Sequence, residues 1–395
     1  MKKKSILFIS SLSLDDRNFK RFGIKKLENF GWEVNYFECS KLFRSKNYFK
    51  SKGGANASID HSMVIYPKNY LELISLVKNK NPTIIIDLLG QSFVEIYFMK
   101  YLSRNNKIMK LSLGAFPTYK HSFFNKVQKK FNETNFLSFI FVDLPKFITF
   151  NLFGFKKINY TFELVSGKNS ITTNVNTKKL FTHSFDYENF LELKSKNKDI
   201  HKSNAKYSKV LVFLDDGCGR KSDVDAYFRN AEINENFENY YIYTNRLLEY
   251  YNKKYNYDIV ICTHPKASMK MSEEKFKFKV VKNSTLDHLV NCDFVFSYSS
   301  TAIQYAVLLN KPILFYNYFG NFSPSHKKYY YKETKAFAEE LGSEHIILDY
   351  YFNKPPRLKD KIDETKYNEY IENYIKSKKS IDDKSIWEVV SKEIN

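Results

Sequence analysis

The chain predicts an α/β fold of two domains, each a parallel sheet covered by helices on both faces. Three observations predict it. Short continuous apolar runs alternate with helical patterns in both halves of the sequence, as expected of strands buried on both faces. Glycine and proline break the first series at Gly31, Asn81-Pro82, Gly90, Gly114 and Pro117. A polar, lysine-rich stretch at 190–208 then separates two such series within 395 residues, a length beyond the comfortable size of one α/β domain. Two Rossmann-like domains facing each other across a cleft is the simplest assembly. The boundaries expected are 1–195 for the first domain and 205–375 for the second, with 376–395 a C-terminal helix packing back on the first.

Taken in order, residues 5–9 read as a strand, 18–30 as a helix and 33–37 as a second strand. The polar stretch 45–59, with Gly53-Gly54, reads as a loop. Residues 70–78 are helical, 83–88 a strand, 93–103 a helix and 108–113 a strand. The second series places strands at 209–214, 258–262, 279–281, 293–296, 312–315 and 346–348. Its helices are expected at 241–253, 285–290, 302–309 and 332–341, with two more at 367–376 and 384–393.

Composition narrows the function classes. With 43% hydrophobic residues the chain can bury a full core, which excludes general disorder. The 36 Phe and 30 Tyr exceed what stacking at one site needs, so most must pack. The net charge of +20 attracts phosphates, but it is diffuse, with no arginine-rich block and no RNA- or DNA-binding module, so nucleic acid is not an expected partner. The four cysteines lack CxxC spacing and indicate neither a disulfide framework nor a zinc site.

Lys2-Lys3-Lys4 precedes an apolar run too short for a signal peptide, so the start reads as a buried strand. The most apolar long segment, 136–155, is interrupted by Asp143, Pro145 and Lys146 and reads as a buried or amphipathic helix rather than a span. The expected compartment is the cytoplasm, with a weak peripheral attraction to an anionic membrane.

Three segments carry the chemistry: Asp215-Asp216-Gly217, His264-Pro265-Lys266 and Ser299-Ser300-Thr301. Each follows an apolar strand, and ligands of parallel sheets bind beyond the carboxyl ends of strands. His264 can hydrogen-bond a phosphate or carry a proton to a leaving group; Pro265 fixes the turn and Lys266 adds positive charge. Ser299, Ser300 and Thr301 open a helix, where hydroxyls and free amides bind anions. Asp215 or Asp216 can act as a general base, because adjacent carboxylates raise each other's pKa. Asp215 is the first choice, as it lies just past the strand. Across the cleft, Asp15, Asp16 and Gln91 are candidate acceptor contacts. The plainer roles remain open beside these: a solvated histidine, an N-cap and a turn-capping aspartate.

An acidic pair with glycine, then His-Pro, then Ser-Ser, in that order, resembles bacterial sialyltransferases and polysialyltransferases of the GT-B fold, and Kdo-type transferases. Residues 261–315, ending in Asn310-Lys311-Pro312-Ile313, carry the most specific part. The resemblance implies inverting, metal-independent transfer of a sugar from a nucleotide donor, without a cofactor. The donor it favours is a CMP-activated nonulosonate or a Kdo-like sugar, and the acceptor is a capsule or lipopolysaccharide glycan or a glycolipid. It implies that His264, Ser299 and Ser300 meet the donor phosphate and that Asp215 or Asp216 is the base. The acidic motif here opens the second domain, whereas in the sialyltransferases it belongs to the first, which leaves Asp15 and Asp16 as alternatives. Alternative activities are a UDP- or GDP-sugar GT-B transferase, CDP-polyol phosphotransfer of the teichoic-acid type, a sugar-nucleotide epimerase and a non-catalytic binding protein.

Overall fold

The structure, a computed structural model, describes residues 4–43, 61–89, 92–114, 116–117, 158–173, 176–196, 209–215, 238–265, 267–298, 300–320, 324–380 and 384–394. The expected loop at 45–59 and the apolar segment 136–155 lie outside the described residues. The chain forms two compact units. The first is Met1–Leu113, Lys130–Phe185 and Ser377–Asn395; the second is Gly114–Lys129 and Asp186–Lys376.

The first unit contains a seven-stranded, wholly parallel sheet. Its strands are β1 (Ser5–Ser10), β2 (Glu33–Glu38), β3 (Val64–Ile65), β4 (Ile84–Leu88), β5 (Ile108–Ser112), β6 (Phe162–Val165) and β7 (Lys178–Phe181). They lie in the order β3-β2-β1-β4-β5-β6-β7. Alternation sends Ile6, Phe8, Ile84 and Ile86 into one core layer and Leu7, Ile9, Ile85 and Ile108 into the other. That two-sided burial is why residues 6–9 of β1 and 84–86 of β4 read as unbroken apolar runs.

Where the sequence suggests one helix at 18–30, there are two, Asp16–Arg21 and Ile24–Asn29. Gly23 separates them with a φ of +56°, and a Cβ there would run into the indole of Trp387. Strands β6 and β7 escape sequence reading because charge interrupts them: Glu163 sits within β6, and Lys178-Lys179 opens β7.

The second unit repeats the plan with six parallel strands. These are β8 (Lys209–Asp215), β9 (Tyr257–Thr263), β10 (Lys279–Lys282), β11 (Phe294–Ser297), β12 (Ile313–Asn317) and β13 (Glu344–Ile347). Their order is β10-β9-β8-β11-β12-β13. Read from the first strand of each unit, both sheets share the 3-2-1-4-5-6 order of dinucleotide-binding folds. Both units are therefore Rossmann-like, the α/β class the sequence predicts.

The chain passes into the second unit at Phe185/Asp186, ahead of the expected domain end at 195. The residues read as the start of a linker belong to a helix, Phe185–Lys196. Its Phe190 is buried in the second unit's core with Val212 and Leu214, while Lys194 is exposed, which gives the segment a polar look. At the other end, Glu364–Tyr370 runs into a π turn, Ile371–Ile375, that buries Tyr374 and Ile375. The chain then returns to the first unit: Ser377 N donates to Ser166 O at 2.8 Å. Helix Ile386–Glu393 sets Ile386, Trp387 and Val390 among the first unit's core residues.

Candidate active site

In the second unit the sheet order reverses between β8 and β11, and crevices of such sheets lie beyond the carboxyl ends at that point. Register brings three chemistry-bearing ends together there. Asp215 of β8 pairs with Thr263 of β9, and Leu214 pairs with Ser297 of β11. His264 is the next residue after β9, and Ser300-Thr301 follow β11 by three and four residues.

Asp215 is the last residue of β8 rather than the first beyond it, and its carboxylate is turned into the fold, 3% exposed. Strand parity places it with Leu211 and Phe213, on the face covered by helix Glu238–Tyr255. Tyr240 OH donates to Oδ1 at 2.9 Å, and Thr263 Oγ1 donates to Oδ2 at 3.2 Å. Tyr240 OH in turn lies 3.3 Å from Tyr316 OH. The carboxylate thus ties β8, β9 and a helix together, which is the setting of a strut more than of a base open to an acceptor.

His264 is half-buried and opens a tight turn: Ala267 N donates to His264 O at 2.8 Å, with Pro265 at the second position, where its fixed φ belongs. Lys282 Nζ donates to Ala267 O at 2.9 Å, pinning the far side of that turn to the end of β10. The helix after β11 starts at Ile303, one residue later than expected, and its N-cap Ala302 makes no side-chain cap. Ser300 Oγ accepts from Ala302 N at 3.3 Å, and Thr301 is exposed.

Ser297, the last residue of β11, opens the segment that carries Ser299-Ser300-Thr301, but the sequence assigns it no role of its own. It is fully buried, and among the described residues its hydroxyl has no hydrogen-bond partner. A buried orphan hydroxyl is costly, and here it lies at the end of β11, beside β8 at the sheet's switch point. The legible signal was a serine closing a buried apolar run. Asp216, Lys266, Ser299 and Gln91 lie outside the described residues.

Two further devices shape the neighbouring edge. His345 Nε2 donates to Asn317 Oδ1 at 2.6 Å, and Asn317 Nδ2 donates to Thr334 Oγ1 at 2.9 Å, fixing the end of β12. Burial, helped by Lys335, lowers His345 to about 4, so the ring is neutral. Asp349 accepts from Phe319 N and Gly320 N at 2.9 and 3.0 Å, clamping the loop that follows.

In the first unit, Asp15 caps helix Asp16–Arg21, accepting from Asn18 N at 2.7 Å, and Asp16 is an exposed first-turn residue. Both do the capping work available to them there. Sequence reading missed two other carboxylates, Glu163 and Asp87. Glu163 is 0% exposed and accepts from the hydroxyls of Ser112, Thr172 and Thr173, each at 2.7 Å, and pairs with Lys179 at 3.1 Å. Burial pushes it up, but the hydrogen bonds from Thr172, Thr173 and Ser112 outweigh that and hold it at about 2.

Asp87, in β4, is half-buried. Tyr160 OH donates to its Oδ2 at 2.7 Å and Leu89 N to its Oδ1 at 3.0 Å. Desolvation exceeds the opposing effect of those bonds and of Lys110, raising the carboxyl to about 6.

Among the described residues no group of three or more His, Cys, Asp or Glu could hold a metal ion, and no helix is long and apolar enough to cross a membrane. The described cysteines, Cys39, Cys262 and Cys292, are buried and free, with thiols pushed by burial up to about 12.

The class defined is an α/β protein of two Rossmann-like units, the pair from which the GT-B fold is built. No protein-family model matches the chain, and no curated protein matches it in sequence. Solved structures of similar course include CalG4, the calicheamicin glycosyltransferase, with 11% identity over 88% of this chain and 87% of that one, and a TM-score of 0.46. MurG of Acinetobacter baumannii has 10% identity over 88% and 86%, TM-score 0.44. The UDP-GlcNAc 2-epimerase of Methanocaldococcus jannaschii, solved with UDP-GlcNAc and UDP, has 11% identity over 93% and 98%, TM-score 0.43.

Proposed function

We propose that the chain is an inverting, nucleotide-sugar-dependent glycosyltransferase of the GT-B type, with the donor held by the second unit. The observation that carries this reading is the convergence of the His264 turn, the Ser300-Thr301 turn and the orphan Ser297 hydroxyl on adjoining carboxyl ends of one Rossmann-like sheet. Hydroxyls and turn amides there suit a phosphate. An imidazole one residue beyond β9 suits the charge that develops on a departing nucleotide. As the glycosidic bond forms, the bond from the anomeric carbon to the phosphate oxygen breaks and its electron pair leaves with the nucleotide. His264 then stabilises or protonates that oxygen.

The donor favoured by the His-Pro and Ser-Ser resemblance is a CMP-activated nonulosonate or Kdo-like sugar; a UDP- or GDP-sugar would use the same phosphate groups. The acceptor in this reading is a glycan or glycolipid of the cell surface, reached at an anionic membrane face to which the basic chain is drawn.

Thermal shift with CMP, CDP, UDP and GDP tests the reading, since a ligand of the folded state raises Tm according to its affinity and concentration. One nucleotide should raise Tm, and His264→Ala should weaken that rise. The same substitution should cut transfer on the order of 10²-fold with the unliganded melt unchanged. Transfer should persist in EDTA. Absence of a shift with every nucleotide, or full activity of a folded His264→Ala protein, would reject the assignment.

A further inference from the structure

We propose that the outer face of helix Glu238–Tyr255, together with the short helix Leu348–Tyr351 and the segment that follows it, docks the second unit on an anionic lipid bilayer. The inference rests on the membrane-facing part of the preceding reading and adds the surface that meets the lipid. The inner side of helix Glu238–Tyr255 is ordinary: Tyr240, Tyr241, Leu247, Leu248 and Tyr251 pack with residues of β8 and β9. Its outer side is not the wholly polar face expected of a surface helix. Ile242 is 43% exposed, and Arg246 and Lys253, also exposed, follow it on the same stripe at helical spacing. Beside the helix, Tyr350 is 70% and Tyr351 41% exposed. Two contacts lay the following segment along the helix. Phe352 stacks on Tyr243 with ring centroids 4.0 Å apart, and Tyr251 OH donates to Pro356 O at 2.7 Å. The Arg246 guanidinium lies 5.6 Å from the Phe352 ring centre, so apolar and cationic groups share one surface.

Charge names the occupant. Arg246, Lys253, Lys354 and Arg357 are all exposed, and among the described residues none pairs with a carboxylate. The carboxylates close to them in sequence are engaged elsewhere: Glu249 pairs with Lys277 at 2.6 Å, and Asp349 accepts from Phe319 N and Gly320 N. Four positive charges are thus left for a partner that is itself negative.

A bilayer suits both kinds of group. Tyrosine rings with a polar tip settle at headgroup depth, while lysine and arginine stems lie along apolar surface and carry their heads to the phosphates. The cations of the helix stripe are spread over about 10 Å, a distance that fluid headgroups can follow without a matching rigid surface. Each such cation near an acidic leaflet strengthens binding about five-fold. The chain's net charge of +20 adds long-range attraction, and this face turns it into a defined orientation.

The test is sedimentation of the full chain with vesicles of phosphatidylcholine, and of an equimolar mixture of phosphatidylcholine and phosphatidylglycerol. Wild-type protein is expected to bind the mixture roughly 10-fold or more tightly than phosphatidylcholine alone, and to weaken as NaCl is raised. Arg246→Glu combined with Lys354→Glu should weaken binding to the mixture by roughly 10-fold or more. Tyr350→Ser combined with Tyr351→Ser should remove the binding that persists at high salt. All four side chains are exposed, so thermal melts of both variants should match wild type. Lys25→Glu combined with Lys78→Glu makes the same change of charge at exposed positions of the first unit and should leave binding within about two-fold. Equal loss in the two charge-reversed proteins would reduce the effect to net charge and overturn the docking face. Full binding by a folded Arg246→Glu/Lys354→Glu protein, or no binding of wild type to either vesicle, would overturn it too. Capture of wild type on immobilised polyglutamate, lost in the same variants, by protein that leaves both vesicles unbound would assign the surface to an acidic protein and reject the lipid. Nucleotide thermal shifts on the same proteins separate the two readings. Failure at the vesicles while a nucleotide still raises Tm leaves the transfer reading standing; vesicle binding with no shift from any nucleotide overturns the transfer reading and supports the face.

Discussion

Asp215 separates two roles that one residue type can play at a strand end. Its carboxylate accepts from Tyr240 OH and Thr263 Oγ1 in a site closed to solvent. Removing it takes one hydrogen bond each from two buried hydroxyls, which keep only the longer contacts of 3.3 Å to Tyr316 OH and Ser272 Oγ, at a cost of about 1–3 kcal/mol. Asp215→Ala should therefore lower Tm by several degrees in a thermal melt. Asp215→Asn keeps the shape and one acceptor oxygen, and the hydroxyls can reorient toward its amide, so it should lower Tm less and keep transfer within a few-fold. Abolished transfer in Asp215→Asn with Tm unchanged would make Asp215 the base after all. The motif was visible in the sequence; the direction of its side chain was not, because Tyr240 lies 25 residues away on a helix that packs over β8 only in the folded state.

At the scale of elements, β6 depends on a charge that periodicity reads as a break. Glu163 fixes Thr172 and Thr173 to the strand and receives Lys179 from the region of β7. Its folded pKa of about 2 lies below the ordinary 4.5, so the folded state favours the ionised form. The stability this adds is complete above about 4.5 and is lost as pH falls toward 2. Thermal melts between pH 7 and pH 2.5 should show Tm falling through that window. Glu163→Gln should start lower at pH 7 and lose less on acidification; an equal acid slope in both proteins would place the acid-labile group elsewhere. A second element-scale test concerns the break at Gly23. Gly23→Ala would add a methyl against Trp387 at a left-handed φ, so it should destabilise the first unit by more than the roughly 1 kcal/mol typical of a point change.

At the scale of the whole chain, the first unit is completed by residues distant in sequence. Ile386, Trp387, Val390 and Ile394 lie in the core layer that also holds Phe8, Phe22 and Ile24, and Trp387 Nε1 donates to Arg21 O at 3.1 Å. Ending the chain at Lys376 would open that layer to water. Burial of a single large apolar side chain contributes roughly 1.5–3 kcal/mol, so four together approach the stability of a domain. Calorimetry of the shortened chain should show the first unit melting far earlier, or unfolded at 25 °C, with the second unit's transition kept. Unchanged transitions in both units would show that the returning helix is dispensable.

The amino-acid sequence by itself determined the α/β class, the existence of two βα series and most strand positions. It did so because the centres of strands buried on both faces must be apolar, and the centres of β1, β4, β8, β9 and β11 obey that rule. It also located the His264-Pro265 turn, since proline's fixed φ marks a turn wherever it follows a strand. Only the tertiary structure decided which carboxylates are struts and which is half-open. Asp215, Glu163 and Asp87 are single acidic residues in or at the end of apolar runs, and nothing local distinguishes them. Their partners, Tyr240 and Thr263, Ser112 and Thr172, Tyr160, come from other elements, and a carboxylate's basicity is set by how many donors reach it and how much water is kept out. The orphan hydroxyl of Ser297 and the joining of the last helix to the first unit were hidden for the same reason. Burial belongs to the folded chain, and no window of neighbouring residues contains it.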